Sequence, residues 1–267
     1  MGADIKQLRV RIKSVDSTLH LTRAMGLVAS SKMRRSNDAM LKSRQYAGAI
    51  EDMVEQLSAD GECAKGPYMA VREGGKTRLL VIAGDRGMAG GYNANIFRLM
   101  REYPDAQVIG VGKRACDRYG SPVRYAESFS YADASELAAQ VCADFAAGEI
   151  DRFGIVYTKY HSMMSQEACV RWLLPLAPAK KQATGATVFE PDAASVLNAA
   201  IPEYVAGLMV AAVRESFASE VAARRVAMDS AGKNAQQMLD ELGLKYNRAR
   251  QGAITQEITE IVAGSGM

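Results

Sequence analysis

Gly110-Val-Gly112-Lys-Arg-Ala115 follows a short apolar run and fits G-x-G-x-x-A, the turn that sets a dinucleotide pyrophosphate against a helix N-terminus. The helix after it can extend only to Tyr119, because Gly120 and Pro122 end it. The pattern therefore reads as a tight strand–helix turn. Gly74-Gly75-Lys76-Thr77 resembles the end of a phosphate loop, in which backbone N–H groups and a lysine hold phosphates. Its first glycine would fall at Ala70, and the segment precedes its strand, whereas the chemistry needs strand, loop and then helix. Cys63, Cys116, Cys142 and Cys169 lie 53, 26 and 27 residues apart, and only His20 and His161 could join them. That spacing argues against a zinc site or a disulfide framework, and the four cysteines read as small core residues. His20 falls on a helical pattern and reads as a coiled-coil flank. No catalytic residue, cofactor or metal is expected from these groups.

What remains is charge. Residues 1–46 carry ten Lys/Arg against Asp4, Asp16 and Asp38, so 10 − 3 = +7, while the whole 267-residue chain has 33 Lys/Arg against 30 Asp/Glu, only +3. A basic helix face of this kind solvates, or meets acidic loops or a phosphate backbone. Aromatic residues are not interleaved with it, so nucleic acid is the weaker reading. Apolar residues make up 48% and charged residues 24%, which excludes a disordered chain. The uncharged run Tyr204–Val213 is half of a membrane span, and MGADIKQLRVRIK lacks the apolar core of a signal peptide. A cytosolic origin without direct membrane insertion is expected.

Two long helices must position these groups. Ile5, Leu8, Ile12, Val15, Leu19 and Thr22 step 3, 4, 3, 4, 3, the seam of a coiled coil. Without proline before Pro67, a helix over Asp4–Leu57 would run about 80 Å. Met228, Ala231, Ala235, Met238, Leu242, Lys245 and Ala249 repeat the steps, and with Pro202 in a first turn the helix would run Glu203–Val262. Neither helix can bury its stripe alone, so the two should pair antiparallel, with Leu8 near Ile254. Between them, strands are expected at 78–83, 107–111, 152–160 and 168–174. Asn93 is expected to cap a helix through Arg101, and Asp133-Ala-Ser-Glu136 to open one that Gly148 closes. The expected fold class is α/β: a long antiparallel two-helix coiled coil with a small Rossmann-like domain between its helices. The expected divisions are residues 1–60, 76–190 and 195–267.

LTRAMGLVASSKMRRS (21–36), SFASEVAARRVAMDSAGKNAQQML (216–239) and YNRARQGAITQEITEIVAG (246–264) resemble the terminal helices of the gamma subunit of bacterial-type F-type ATP synthases. GDRGMAGGYN (84–93) is similar to that family's S/T-DRGLCGGYN turn, and MSQ (164–166) with LLPL (173–176) matches a further motif. Gly84 stands in place of the usual hydroxyl residue, and Met88-Ala89 in place of Leu-Cys. The segment between Leu176 and Pro191 carries no cysteine, so the redox-regulating insertion of chloroplast members is missing.

The resemblance implies a non-catalytic central rotor shaft of a proton-translocating ATP synthase, one copy per complex. Its partners would be the alpha and beta subunits, epsilon and the membrane c-ring, and its location the cytoplasmic face of the bacterial inner membrane, as a peripheral protein. A free-standing coiled-coil scaffold or nucleic-acid-binding protein is the alternative. Arg250, Gln251, Thr255 and Glu257 match the family's contacts with beta-subunit catch loops, and Met25, Lys32 and Arg224 would form a second level. Ser43, Arg44 and Tyr46 with Phe189, Glu190 and Asp192 would form the foot on the c-ring, with charges of both signs. Titration calorimetry of the isolated chain with ATP and with a nicotinamide dinucleotide should show no binding. Micromolar binding that disappears on Gly112→Ala or Lys76→Ala would overturn this reading of the two glycine motifs.

Overall fold

A computed structural model describes residues 2–61, 63, 66–72, 74–177 and 189–264, with side chains from Asp4 onward. The elements run α1 (Gly2–Ser58), β1 (Thr77–Ile82), α2 (Tyr92–Leu99), β2 (Gln107–Val111), α3 (Lys113–Tyr119), α4 (Tyr131–Ala146), β3 (Arg152–Tyr160), β4 (Gln166–Leu174) and α5 (Ala193–Gly264). The chain divides into two compact units, one of Met1–Ser30 with Arg224–Met267, the other Ser31–Ala223. Most of the stretch between Leu176 and Pro191 lies outside the described residues.

In the first unit, α1 buries or half-buries the expected seam, Ile5, Leu8, Ile12, Val15, Leu19 and Thr22, and extends it through Gly26 and Ala29. The pairing is antiparallel: Arg9 Nη2 donates to Tyr246 Oη at 2.8 Å and Arg23 Nη2 to Gln236 Oε1 at 3.1 Å. Gly26 and Gly232 lie in this contact. A Cβ on Gly26 would be 3.2 Å from Arg225 Nη1, and one on Gly232 3.6 Å from Thr22 Oγ1. The α5 seam departs from expectation. Met238 and Lys245 are exposed, and Leu239 and Tyr246, one residue on, turn inward instead. An apolar pair such as Met238-Leu239 allows either step, and the choice follows the partner: Arg9 lies over the Tyr246 ring at 5.7 Å. The register also differs. Leu8 shares a cleft with Leu242 and Lys245, so Ile254 lies beyond its reach.

In the second unit the sheet has order β2-β1-β3-β4, with β1 parallel to β2 and β3, and β4 antiparallel to β3. Leu80 and Ile82 face a core built from α1 (Ala47, Ile50, Val54, Leu57), α4 (Leu137, Val141, Phe145) and α5 (Leu197, Ile201, Val205, Leu208). Leu79 and Val81 face the opposite layer, with Ile96, Met100 and Ala115. The continuous apolar run of β1 is thus explained by a strand covered on both faces.

Several local expectations shift. Strand β1 starts at Thr77 and β4 at Gln166, each earlier than expected. The cap of α2 is Gly91, and Asn93 instead turns back to accept from Gly84 N at 2.8 Å. The capping box of α4 lies three residues upstream, Ser130 with Asp133, because Ser130 is the residue in extended conformation there. Helix α5 begins ten residues before the expected Glu203, and Pro202 lies inside it. Asp192 starts it, accepting from Ser195 N at 2.8 Å and Ser195 Oγ at 2.7 Å, which lowers its carboxyl pKa. One 18-residue window of α5 has a mean hydropathy of 1.6 and is long enough to cross a membrane. It is 56% buried inside the protein, as a core helix would be. Gly112 closes the β2–α3 turn with φ +85°, and a Cβ there would fall 1.9 Å from the Ala83 carbonyl. That glycine is required by chain crossing and needs no nucleotide.

Paired cysteines at Arg9 and Tyr246 should form a disulfide on mild oxidation, whereas Leu8→Cys with Ile254→Cys should not. Efficient bonding of the second pair, read on non-reducing gels, would restore the register read from the seam alone.

Candidate functional site

No catalytic constellation forms among the described residues, and no cluster of His, Cys, Asp and Glu there could hold a metal. Burial pushes the Cys142 thiol up to about 12 and raises that of Cys169, so neither is an activated nucleophile. The functional geometry is that of surfaces and of the ties that hold them.

The turn Gly84–Asn93 is one such tie. Asp85 accepts from three backbone amides: Lys113 N at 3.1 Å and Ala126 N at 2.9 Å on one oxygen, and Glu127 N at 3.0 Å on the other. It thereby fixes the N-terminus of α3 and the loop before α4. Glu127 in turn pairs with Lys32 Nζ on α1 at 2.5 Å. Gly84 lies against the carboxylate of Glu220, which is 2% exposed; a Cβ there would come within 2.9 Å of it. Glycine at 84 follows from that approach. Met88 has φ +60° and is 60% exposed, while Ala89 is buried, so the position that carries cysteine in the resemblance is a core site here.

The expected foot residues all lie in the second unit. Arg44 keeps a partly exposed side chain and is paired within the unit. Its Nη2 donates to Glu215 Oε1 at 2.8 Å and to the Tyr160 carbonyl at 2.7 Å. Ser43 bonds back to the Ala39 carbonyl at 2.9 Å, and the Asp192 carboxylate is engaged with Ser195. Tyr46 is 48% exposed, and its ring lies on Gly207, where a Cβ would meet it at 2.7 Å. Phe189 packs against the main core, and Glu190 is exposed.

Arg250, Gln251, Thr255 and Glu257 are exposed on the part of α5 past the Tyr246 contact. Thr255 Oγ1 donates to the Gln251 carbonyl at 2.9 Å, a bond within the helix that leaves the hydroxyl oxygen outward. Ile254, Ile258, Ile261 and Val262 are also exposed, at 47–70%. Met25 and Arg224 are half-buried in the first unit. Lys32 belongs to the second unit and is engaged by Glu127, so the three residues expected at one level are not equivalent.

Sequence reading missed Glu215, Ser216, Ser219 and Glu127. The first three are buried polar groups in a helix otherwise lined by alanine and aliphatic residues. That run of polar residues at i, i+1 and i+4 in an apolar context was the available signal. Asp85→Ala removes the acceptor of three amides and should lower the unfolding free energy by about 2–4 kcal/mol. Denaturant titration of the purified chain checks this, and a loss below about 0.5 kcal/mol would deny Asp85 its organising role.

Residues 4–266 match the ATP synthase family model. The chain is 39% identical over 277 aligned positions to the ATP synthase gamma chain of Moorella thermoacetica, covering 98% of both. It is 35% identical to the sodium ion specific ATP synthase gamma chain of Acetobacterium woodii, covering 99% of both. Among solved structures it resembles a chain of the Euglena gracilis mitochondrial ATP synthase OSCP/F1/c-ring assembly, with TM-score 0.68 and 20% identity over 99% of this chain and 94% of that one. A chain of the Tetrahymena thermophila mitochondrial central stalk and c-ring aligns with TM-score 0.61 and 22% identity over 79% and 99%. These structural likenesses show a shared fold. With the full-length match in sequence, they make this chain a member of the ATP synthase gamma-chain family.

Proposed function

We propose that this chain is the central rotor shaft of a membrane-associated ATP synthase, coupling rotation of a membrane ring to ATP synthesis or hydrolysis in a surrounding catalytic hexamer. The observation that carries this reading is the full-length match to gamma chains at 39% identity. The physics agrees. Helices of 57 and 72 residues, paired along a seam in the first unit, supply length and torsional stiffness. Two unlike helices give the shaft unlike faces, so chemically identical beta subunits around it meet different surfaces. The shaft itself is non-catalytic.

The partners we assign are alpha and beta around the exposed end of α5, with epsilon and the c-ring at the foot, one shaft per complex, on the cytoplasmic face of the bacterial membrane. The foot is assigned to residues 43–46 and 189–192, of which Gln45, Tyr46, Glu190 and Pro191 are exposed. Arg44 braces it from within through Glu215. We keep residues 1–60, 76–190 and 195–267 as the functional divisions: first helix, sheet domain and second helix.

Rotation under load needs contacts that hold at a dwell and release at a step. Hydrogen bonds to charged groups, about 1.5–3 kcal/mol each, meet both needs better than an apolar patch. Arg250, Gln251, Thr255 and Glu257 supply them, and the exposed Ile254, Ile258, Ile261 and Val262 suit a bearing that requires only steric fit. Met25 and Arg224 fit a second level, where a neutral Met25 avoids a tight pair with a beta carboxylate. Lys32 is assigned to the beta contacts by the resemblance alone; in its own unit it is paired with Glu127. Arg250→Ala with Gln251→Ala should therefore weaken assembly or turnover of the alpha–beta–gamma complex about tenfold or more, and Ile261→Ala far less. Equal small effects, measured by co-purification and ATPase rate, would show the catch lies elsewhere.

A further inference from the structure

Strand β3 outruns its neighbour. Its partner β1 pairs with it only from Arg152 to Val156, yet β3 continues to Tyr160. Thr158 and Tyr160 are alternate residues, whose amide and carbonyl groups point to the same edge of a strand. On that edge no further strand meets them, and each of the four groups is met by a helix side chain instead. Thr158 N donates to Ser216 Oγ at 3.2 Å, and Ser219 Oγ donates to the Thr158 carbonyl at 3.1 Å. Tyr160 N donates to Glu215 Oε1 at 2.9 Å, and Arg44 Nη2 donates to the Tyr160 carbonyl at 2.7 Å. Arg44 and Glu215 then pair with each other, joining α1 to α5 across the strand end. Ser216 Oγ also bonds Tyr92 Oη at 2.7 Å, which brings in the first residue of α2.

Ser216 and Ser219 are fully buried, and Glu215 is 8% exposed. An apolar helix face packed on a sheet can slide or rock, because its contacts are non-directional. A row of directional bonds to backbone groups cannot move without breaking bonds and leaving buried partners unmet, which is costly. The arrangement is therefore a splice: α5 and α1 together imitate one edge of a missing strand.

We infer that Glu215, Ser216, Ser219 and Arg44 form a torsional joint that makes the sheet domain turn rigidly with the two helices, a role that rests on the rotor reading above. These are positioning residues; none needs to touch a partner subunit. Their place is where a rotor would otherwise be compliant, since a sheet domain driven only through greasy contacts would lag the helices under load.

The test uses the assembled alpha–beta–gamma complex, fixed to a surface and driven by ATP, with a bead attached through a cysteine at Asp105 in the sheet domain or, separately, at Asp38 on α1. Both positions are exposed. Ser216→Ala with Ser219→Ala removes two of the four parallel ties, so the joint's stiffness should halve. The angular variance of a bead on residue 105 at each dwell should then rise about twofold, with the bead on residue 38 unchanged. A purely structural role would lower thermal stability and leave both variances alike, which would overturn the inference. If the double variant does not assemble, Glu215→Gln provides the second arm. It keeps an acceptor for the Tyr160 amide but loses the charge that holds Arg44, and should broaden the residue 105 signal while Glu215→Asp restores part of it. Equal signals from the Gln and Asp variants and the parent would equally overturn the joint. Failure of the parent complex to rotate at all would instead defeat the rotor reading, and the joint with it.

Discussion

Each of the two long helices carries apolar surface that it cannot bury on itself, a narrow stripe on α1 and nearly every face of α5 over Tyr204–Ala222, and the packing of both units answers that constraint. A helix of this length in water needs a partner along its stripe, because helix propensity alone does not hold it. In the first unit each helix serves the other, with small residues such as Gly26, Ala29 and Gly232 at the contact and the Arg9–Tyr246 pair at its outer end. In the second unit the same stripe of α1, continued through Ala47, Ile50, Val54 and Leu57, becomes part of a core shared with a sheet. One unbroken heptad pattern therefore does two jobs, zipping to a helix in one unit and flooring a domain in the other.

The sheet domain holds a glycine pattern of the dinucleotide-binding type that has a packing reason of its own. Its β2–α3 turn retains the glycines of a pyrophosphate loop, yet the space a phosphate would need is limited by the Ala83 carbonyl, which sits where a Gly112 Cβ would be. Asp85 uses its carboxylate on three protein amides, among them that of Lys113 at the start of α3. Backbone amides that could cradle an anion are thus partly satisfied from within.

Polar groups are also buried at the helix–sheet boundary. Glu215, Ser216 and Ser219 lie among residues chosen for small size, and their bonds to Thr158 and Tyr160 set both the depth and the rotation of α5 against β3. Apolar packing would fix the depth alone. Lys32–Glu127 and Arg44–Glu215 add ties from α1, so both helices hold the sheet domain by directional contacts as well as by packing.

The heptad steps of α1, the four strands, the α/β class and the family were all legible in residue order, because each rests on local periodicity or on motifs contiguous in the chain. The α1 seam is right position by position from Ile5 to Thr22; polar residues flank each apolar one from Ile5 to Leu19, and the 3,4 step carries the seam on to Thr22 although apolar Leu21 lies beside it. On α5 the choice was degenerate: Met238 beside Leu239 and Lys245 beside Tyr246 admit two phases, and only the facing Arg9 selects one. Helix register, the start of α5 at Asp192 in place of Pro202, and the capture of Arg44 by Glu215 across 171 residues were likewise invisible. They are settled by groups that meet only after folding. Periodicity tells which face of a helix must be buried; how far along its partner that face lies, and which charges are consumed in fixing it there, depends on distances that exist only in three dimensions.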